Sequence, residues 1–419
     1  GKKKPEEMAK HRETIAAGAR EKGYNPALAE QLFDLMTKFA EYGFNKSHTA
    51  AYAVVTYHTA WLKAHHCAAF MAATMSSDMD NTDSVKIFYE DTIANKVKVL
   101  GPDVNASNYR FEPVDRSTIR YGLGAVKGTG EQAVTVILRA RERDGPFRDL
   151  FDFCQRCDKR QVNRRAIEAL IKAGAFDGIA PAPETGGAPD RHRLLASVGI
   201  AMDFAEQVER NAMQSSLFDV GPAAEEHAPQ YVAVKPWDER MRLMEEKVAL
   251  GFYFSGHPYN AFKADLAHFV RRPLAALEGS RELSVLAGVV VGVRPQMTRR
   301  GKMLYVQLDD GTAAVEVAVF NELYEAERNK IEVDAVLVVE GKINHDDYSG
   351  GLRIIADRLM TTGEARARYA KHLLLRMNGA ADSRRLKSLL APFAPGAAQV
   401  RISYRNADAE CELVLGDSL

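Results

Sequence analysis

The stretch SVLAGVVVGV, Ser284–Val293, decides the fold of the region around it. It is the longest apolar run in the chain, yet far too short to span a bilayer, which takes about 20 apolar residues in a helix. Reading outward from it, strands are expected at Val285–Val293, Met303–Leu308, Val315–Phe320, Ala335–Ile343 and Leu352–Leu359. Turn residues Asp310-Gly311 and Ser349-Gly350-Gly351 punctuate them, and a helical segment, NELYEAERNK, falls between the third strand and the fourth. Five short strands with a helix in that place are the layout of an OB-fold, a small barrel whose architecture suits single strands and oligonucleotides.

The rest of the chain is too long to be one domain: 419 residues predict two to four. A hydrophobic share of 46% and a charged share of 27% are those of ordinary globular sequence able to bury sizeable cores. The formal net charge is zero, so any nucleic-acid partner has to be argued from local patches. Four cysteines, only two of them close together, suit a reducing cytoplasm and no disulfide framework, and no signal peptide is present. The chain opens on Gly1 within helical sequence, which predicts a fragment of a longer protein.

Residues 1 to about 95 read as helices. Asn25-Pro26 gives a cap and first turn to ALAEQLFDLMTKFAEYG, where Leu28, Leu32, Leu35, Met36 and Phe39 predict a buried stripe and Gly43 a stop. Ser47 reads as the N-cap of the next helix, whose buried stripe is expected at Ala51, Val54, Val55, Trp61 and Leu62. SSDMDNTD, Ser76–Asp83, resembles a magnesium-binding acidic pair, but Asp and Asn opening a helix read better as caps, and the stretch is assigned to structure. Beyond Leu100 come a short strand-rich piece, a Gly-punctuated turn and a helix with Ala133, Val136, Ile137 and Ala140 on its buried face. A helical pair follows, FRDLFDFCQRC and NRRAIEALIKAGAFD, then a Gly/Ala/Pro-rich linker. The last part reads as strand, helix, strand, strand.

Several clusters carry chemistry. GAVKGTGEQAV has the grammar of a helix-hairpin-helix: Gly128 and Gly130 allow a tight turn that aims backbone N–H groups outward at the start of a helix, with Lys127 adding charge and Thr129 between them. An ordinary turn between helices is the alternative. Lys159, Arg160, Arg164 and Arg165 form either a solvated face or an extension of a phosphate track. Cys154 and Cys157 form a single CxxC with no second ligand pair, so packing is favoured over zinc. In QSSLF, Leu217 and Phe218 are either a peptide anchor on an exposed arm or a pair that folds back on a helix. Asn45, Lys46, Ser47 and His48, with Tyr52 one turn later, offer a cation, a hydroxyl, an imidazole and a ring to a nucleotide, or else merely surround a cap.

Eight strings in order, GKKKPEEM, YGFNKSHTAAYA, WLKAHH, SSDMDNTD, YGLGAVKGTGE, NRRAIEALIKAGAFD, LGFYFSGHP and YSGGLRI, closely resemble the C-terminal portion of the bacterial DNA polymerase III alpha subunit, a replicative C-family polymerase. The resemblance implies a multidomain α+β chain. Residues 1–100 would be the rear of the fingers, with Asn45, Lys46, Ser47, His48 and Tyr52 near the incoming nucleotide. Residues 101–225 would be the clamp-binding domain. Its helix-hairpin-helix would grip duplex DNA through Lys127, Gly128, Thr129, Gly130, Arg164 and Arg165, and Gln214, Leu217 and Phe218 would be the internal peptide for the sliding clamp, the beta subunit. A helical connector is expected over 226–282 and the OB-fold domain over 283–362, where Arg299, Arg300, Lys302 and Tyr305 are the best single-strand contacts. Residues 363–419 would begin a small C-terminal α/β segment that contacts the clamp-loader tau subunit, truncated here.

The family's palm carboxylates and N-terminal PHP domain have no counterpart in these strings. Two-metal phosphoryl transfer requires those acids, so the chain alone is expected to be inactive, with no cofactor or metal of its own and magnesium confined to the full polymerase. The proofreading exonuclease subunit would join through the N-terminal region. The expected setting is cytoplasmic with no membrane contact. The alternative reading is a stand-alone, non-catalytic scaffold that binds DNA and clamp.

Overall fold

The computed structural model describes residues 5–42, 46–181, 189–213, 229–298, 301–345, 352–378, 382–393, 396, 398–406 and 409–415. These fall into two compact units, residues 1–125 with 129–146, and residues 126–128 with 147–419.

In the first unit, helices α1 (Pro5–Glu21), α2 (Pro26–Tyr42), α3 (Lys46–His65), α4 (Cys67–Ser77) and α5 (Thr82–Ala94) precede strands β1 (Lys98–Leu100), β2 (Glu112–Asp115) and β3 (Thr118–Arg120), and α6 (Glu131–Asp144) closes it. The strands form one sheet in the order β1-β3-β2. Asn81 caps α5 by accepting from the N–H groups of Asp83 and Ser84, which is the structural role expected of SSDMDNTD. Helix α4 buries Ala68, Met71, Ala72 and Met75, a stripe at i, i+3, i+4 and i+7. Arg141 of α6 donates to the carbonyls of Val104 and Ser107 and to Asn108 Oδ1, tying that helix to the loop before β2. The buried face of α6 is Ala133, Val134, Ile137 and Ala140; Val134 takes the place expected of Val136.

Two expected stripes are not buried. Leu28, Leu32, Leu35 and Met36 of α2 are exposed, as are Ala51, Val54, Val55, Trp61 and Leu62 of α3. The side chain of Phe39 lies outside the described residues. Helical spacing was a correct guide to the helices, but the surface that would cover these faces is not provided by the described residues of this unit. Ser47 is also not an N-cap: α3 already begins at Lys46.

The second unit begins with α7 (Leu150–Arg156), α8 (Arg164–Lys172), α9 (Arg191–Met213), α10 (Glu239–Leu250) and α11 (Asn260–Leu266). Asn163 caps α8 by accepting from Ala166 N–H, and Asp238 caps α10 by accepting from Met241 N–H. A buried ion network joins three of these pieces. Arg191, 5% exposed, donates to both oxygens of Asp177 at 2.7 and 2.6 Å, to Glu246 Oε1 at 3.1 Å and to the Lys172 carbonyl at 3.2 Å. Glu246 is fully buried, and its other oxygen accepts from the N–H groups of Phe254 and Ser255. Gly174, at φ +87°, makes room for this arrangement: a Cβ there would sit 2.3 Å from Arg191 Nη2.

Strands β4 (Ser280–Thr298), β5 (Gly301–Asp309), β6 (Ala314–Val319), β7 (Val336–His345) and β8 (Leu352–Met360) close into a barrel in the order β4-β5-β6-β8-β7, with α12 (Asn321–Glu327) between β6 and β7 as expected. Leu286, Val290, Leu304, Val306, Leu308, Val317, Val319, Leu337, Val339, Ile343, Ile354 and Leu359 fill its interior. The run that opened the reading is apolar on both faces because both are covered. Ala287 and Val289 point the other way, into a cluster with Tyr259, Leu266, Val338, Met360 and Ala365, the last on α13 (Thr362–Tyr369). Strand β4 runs to 19 residues, longer than expected, because it pairs with β7 along its first half and β5 along its second, with a register shift between Val290 and Gly292. The barrel is fastened to the helices before it. Asp334, on the connection into β7, accepts from the Tyr253 hydroxyl at 2.7 Å and from Lys247, and Asp310 accepts the Leu274 N–H at 2.8 Å.

Strand β9 (His372–Met377), α14 (Ser383–Leu390), β10 (Gln399–Arg405) and β11 (Glu410–Val414) end the unit, with sheet order β11-β10-β9. This is the strand, helix, strand, strand order expected, and the multidomain α+β class with hairpin, barrel and small terminal sheet holds.

Candidate nucleic-acid interface

The hairpin turn is built from four consecutive residues. Lys127 is exposed and donates its backbone N–H to the Ala249 carbonyl at 2.9 Å. Gly128 adopts φ +83°, where a side chain would be strained, although a Cβ would meet nothing within 4 Å. Thr129 is buried, and its Oγ1 finds no hydrogen-bond partner among the described residues. Gly130 is the N-cap of α6 (φ −73°, ψ 159°) and, lacking a side chain, leaves the first-turn N–H groups of that helix without a side-chain cap. Such a start accepts an anion at its backbone and distinguishes no base.

Of the basic run, Lys159 is paired with Glu206, and Arg164 Nε donates to Glu168 at 2.7 Å. Arg160 and Arg165 are exposed. Cys154 and Cys157 are both buried, and burial, with Asp149 adding to it, pushes the Cys154 thiol up to about 12. Among the described residues no group of three His, Cys, Asp or Glu side chains is placed to hold a metal ion.

At the start of α3, Ser47 and His48 are exposed, and the His48 ring meets that of Tyr52 edge-on at 4.4 Å, as their i+4 spacing requires. Asn45 and the side chain of Lys46 lie outside the described residues, as do Gln214, Leu217 and Phe218 of the expected clamp peptide.

On the barrel, Tyr305 projects outward from β5, since Leu304, Val306 and Leu308 face the core. Its β4 neighbour is Arg294, whose guanidinium lies over the Tyr305 ring at 4.7 Å while donating to Glu316 at 2.8 Å. Arg294 was not singled out from the sequence; only the β4–β5 register brings it to Tyr305. Arg299 and Arg300 and the side chain of Lys302 lie outside the described residues, so the expected group is seen only in Tyr305. The loop after β5 is held by Asp310. Burial opposes ionisation of this carboxyl. Hydrogen bonds from the Thr312 hydroxyl and from the N–H groups of Leu274, Thr312 and Ala313 outweigh it and lower its pKa.

Comparison with known proteins adds two family matches, a helix-hairpin-helix motif over residues 96–185 and an OB-fold nucleic acid binding domain over residues 285–361. Along its length the chain is also similar to proteins described as DNA polymerase III subunit alpha. Identity is 45% with that of Neisseria meningitidis serogroup A, covering 99% of this chain and 36% of the relative. It is 40% with that of Pseudomonas aeruginosa (100% and 37%) and 39% with that of Escherichia coli K12 (99% and 36%). The chain thus spans little more than a third of the length of the curated relatives it matches. Among the described residues no helix is long and apolar enough to cross a membrane.

Proposed function

We propose that this chain, which corresponds along its length to a portion of the DNA polymerase III alpha-subunit family, is the part of such a polymerase that holds DNA and attaches it to the sliding clamp. The observation that carries the reading is the turn at 127–130: an exposed Lys, a Gly at positive φ and a helix start without a side-chain cap. Phosphates of a duplex meet backbone N–H groups there, Arg164 and Arg165 supply further phosphate contacts, and affinity is independent of base sequence. The barrel takes single-stranded template, with Tyr305 as its stacking ring. Ser47, His48 and Tyr52, with Asn45 and Lys46, approach the incoming nucleotide. Gln214, Leu217 and Phe218 insert into a pocket of the clamp, and residues 363–419 face the tau subunit. Nucleotide transfer requires metal-binding carboxylates supplied from outside this chain.

The test is duplex binding by the whole chain as salt is varied. Lys127→Ala is expected to weaken binding about equally across sequences and to reduce the slope of log K against log salt by about one. A sequence-selective loss overturns the hairpin assignment. Leu217→Ala with Phe218→Ala is expected to abolish clamp binding while duplex binding persists. Robust template-directed nucleotide incorporation by the chain alone would refute its non-catalytic role.

A further inference from the structure

A cleft of about 400 Å³ lies in the second unit between α8, the start of α9 and the extended segment 229–238. Three cations line it, Arg164 and Lys172 from α8 and Lys235 from the segment, against one carboxylate, Glu168. The cations differ in commitment. Lys172 is paired with Glu245 at 2.8 Å, and Arg164 binds Glu168 through Nε, which leaves both Nη groups to donate elsewhere. Lys235 is exposed and has no ion-pair partner among the described residues. The rest of the lining is apolar and aromatic. Trp237 is half-buried beside the buried His192, their ring centroids 6.4 Å apart, with Leu195, Ala196 and Val234 around them.

The walls are fixed from below. Arg191, the residue before His192, is anchored to Asp177 and Glu246 and donates to the carbonyl of Lys172, so one buried guanidinium sets the spacing of α8 and the first turn of α9. A site held in this way loses little freedom when it is filled.

We propose that this cleft binds a nucleoside phosphate, with the base against Trp237 and the phosphate between Lys235 and the free Nη groups of Arg164. The two halves of the lining select that chemistry jointly. An inorganic anion would use the cations and leave the indole, Leu195 and Val234 idle; a purely apolar ligand would desolvate the cations without pairing them. A planar base carrying a phosphate satisfies both, and the volume falls in the range of about 300–1,000 Å³ usual for small-ligand sites. The occupant is either a free nucleotide or one residue of a single strand, and it does not depend on the duplex-binding role of the hairpin.

The chain has only two tryptophans, so Trp61→Phe leaves Trp237 as the sole reporter of this cleft. In that background, emission is followed while adding deoxyadenosine monophosphate, adenosine, inorganic phosphate, a short oligothymidylate or an oligoglutamate peptide. Quenching that saturates with the mononucleotide identifies a free nucleotide as the occupant. Quenching by the oligonucleotide alone identifies a residue of a single strand. In either case Lys235→Glu, a change on the exposed side of the cleft, is expected to weaken the effect by about tenfold or more, and adenosine is expected to bind more weakly than its phosphate. Absence of quenching by both nucleotide probes overturns the proposal. So does quenching that Lys235→Glu leaves unchanged, or equal quenching by oligoglutamate, which would mark an acidic-peptide site. Because no duplex is present, a failed duplex-binding experiment leaves this result untouched.

Discussion

Replacing Arg191 with leucine removes the guanidinium that neutralises Glu246, a carboxylate fully shielded from water. The shorter apolar side chain would fill only part of the space. Glu246 would keep the N–H groups of Phe254 and Ser255 on one oxygen and lose its guanidinium donor on the other. Asp177, also released, is part-exposed and regains water, so the penalty falls mainly on Glu246. Breaking a buried pair by removing one partner costs about 3–5 kcal/mol. Urea unfolding read by Trp237 emission in the Trp61→Phe background measures it. With a slope of about 2 kcal/mol per molar, the midpoint is expected to fall by roughly 2 M. Adding Glu246→Gln to Arg191→Leu is expected to recover about 1–2 kcal/mol, because the amide oxygen still accepts from Phe254 and Ser255 while the buried charge is gone. The reasoning is refuted if Arg191→Leu costs less than about 1 kcal/mol, or if the second substitution makes matters worse by the full sum of the two.

Gly174→Ala is expected to cost about 1–3 kcal/mol in the same urea assay from its positive φ alone, and somewhat more in the parent than in the Arg191→Leu background, where the clash of its Cβ with the guanidinium is relieved but the backbone strain remains. Asp310 has a folded pKa below its unfolded value, so its stabilisation is complete above the unfolded carboxyl range and is lost as pH falls through the lowered folded value. Melting temperature measured from pH 7 downward should therefore fall less steeply below about pH 4 in Asp310→Asn than in the parent, although the variant starts lower because one amide oxygen cannot replace two carboxylate acceptors. Alkylation at pH 8 with peptide mapping is expected to find Cys411 modified first and Cys67 more slowly. Cys154 and Cys157 should react only after unfolding, since burial holds the Cys154 thiol near 12.

The barrel was legible because its signal is local and redundant. Each strand carries its own apolar residues, the turns their Gly or Asp, and the helix NELYEAERNK stands between the third strand and the fourth, where a five-stranded OB barrel has it. The cap at Asn81 was legible for the same reason, since it acts within three residues of itself; the cap expected at Ser47 was not found, because α3 already begins at Lys46. The second half of β4 was not legible, because its length depends on pairing with β5 across a bulge, and a bulge leaves no mark in composition. The candidate sites divide similarly. The hairpin could be read from Lys127 to Gly130 in one string, whereas Arg294 acquires meaning only opposite Tyr305. The cleft gathers Arg164, His192 and Trp237 from three segments, and nothing local to any of them marks that they meet.

Apolar density had opposite outcomes in α2, α3 and β4, and the difference is physical. Hydrophobic burial is a property of two surfaces, and a sequence reports only one of them. In β4 both partners are close in the chain: the barrel interior on one side and α11 with α13 on the other cover Leu286, Ala287, Val289 and Val290 completely. In α2 and α3 the same kind of stripe leaves Leu35 62% exposed and Val55 54% exposed. Among the described side chains of α1 and α2, Ala16 and Phe33 are the buried apolar ones, and the Arg12–Asp34 pair at 2.8 Å is half exposed on both sides, where such a pair is worth no more than about 1 kcal/mol. Period in a sequence therefore locates the face that needs covering, and only the fold shows whether the chain itself covers it.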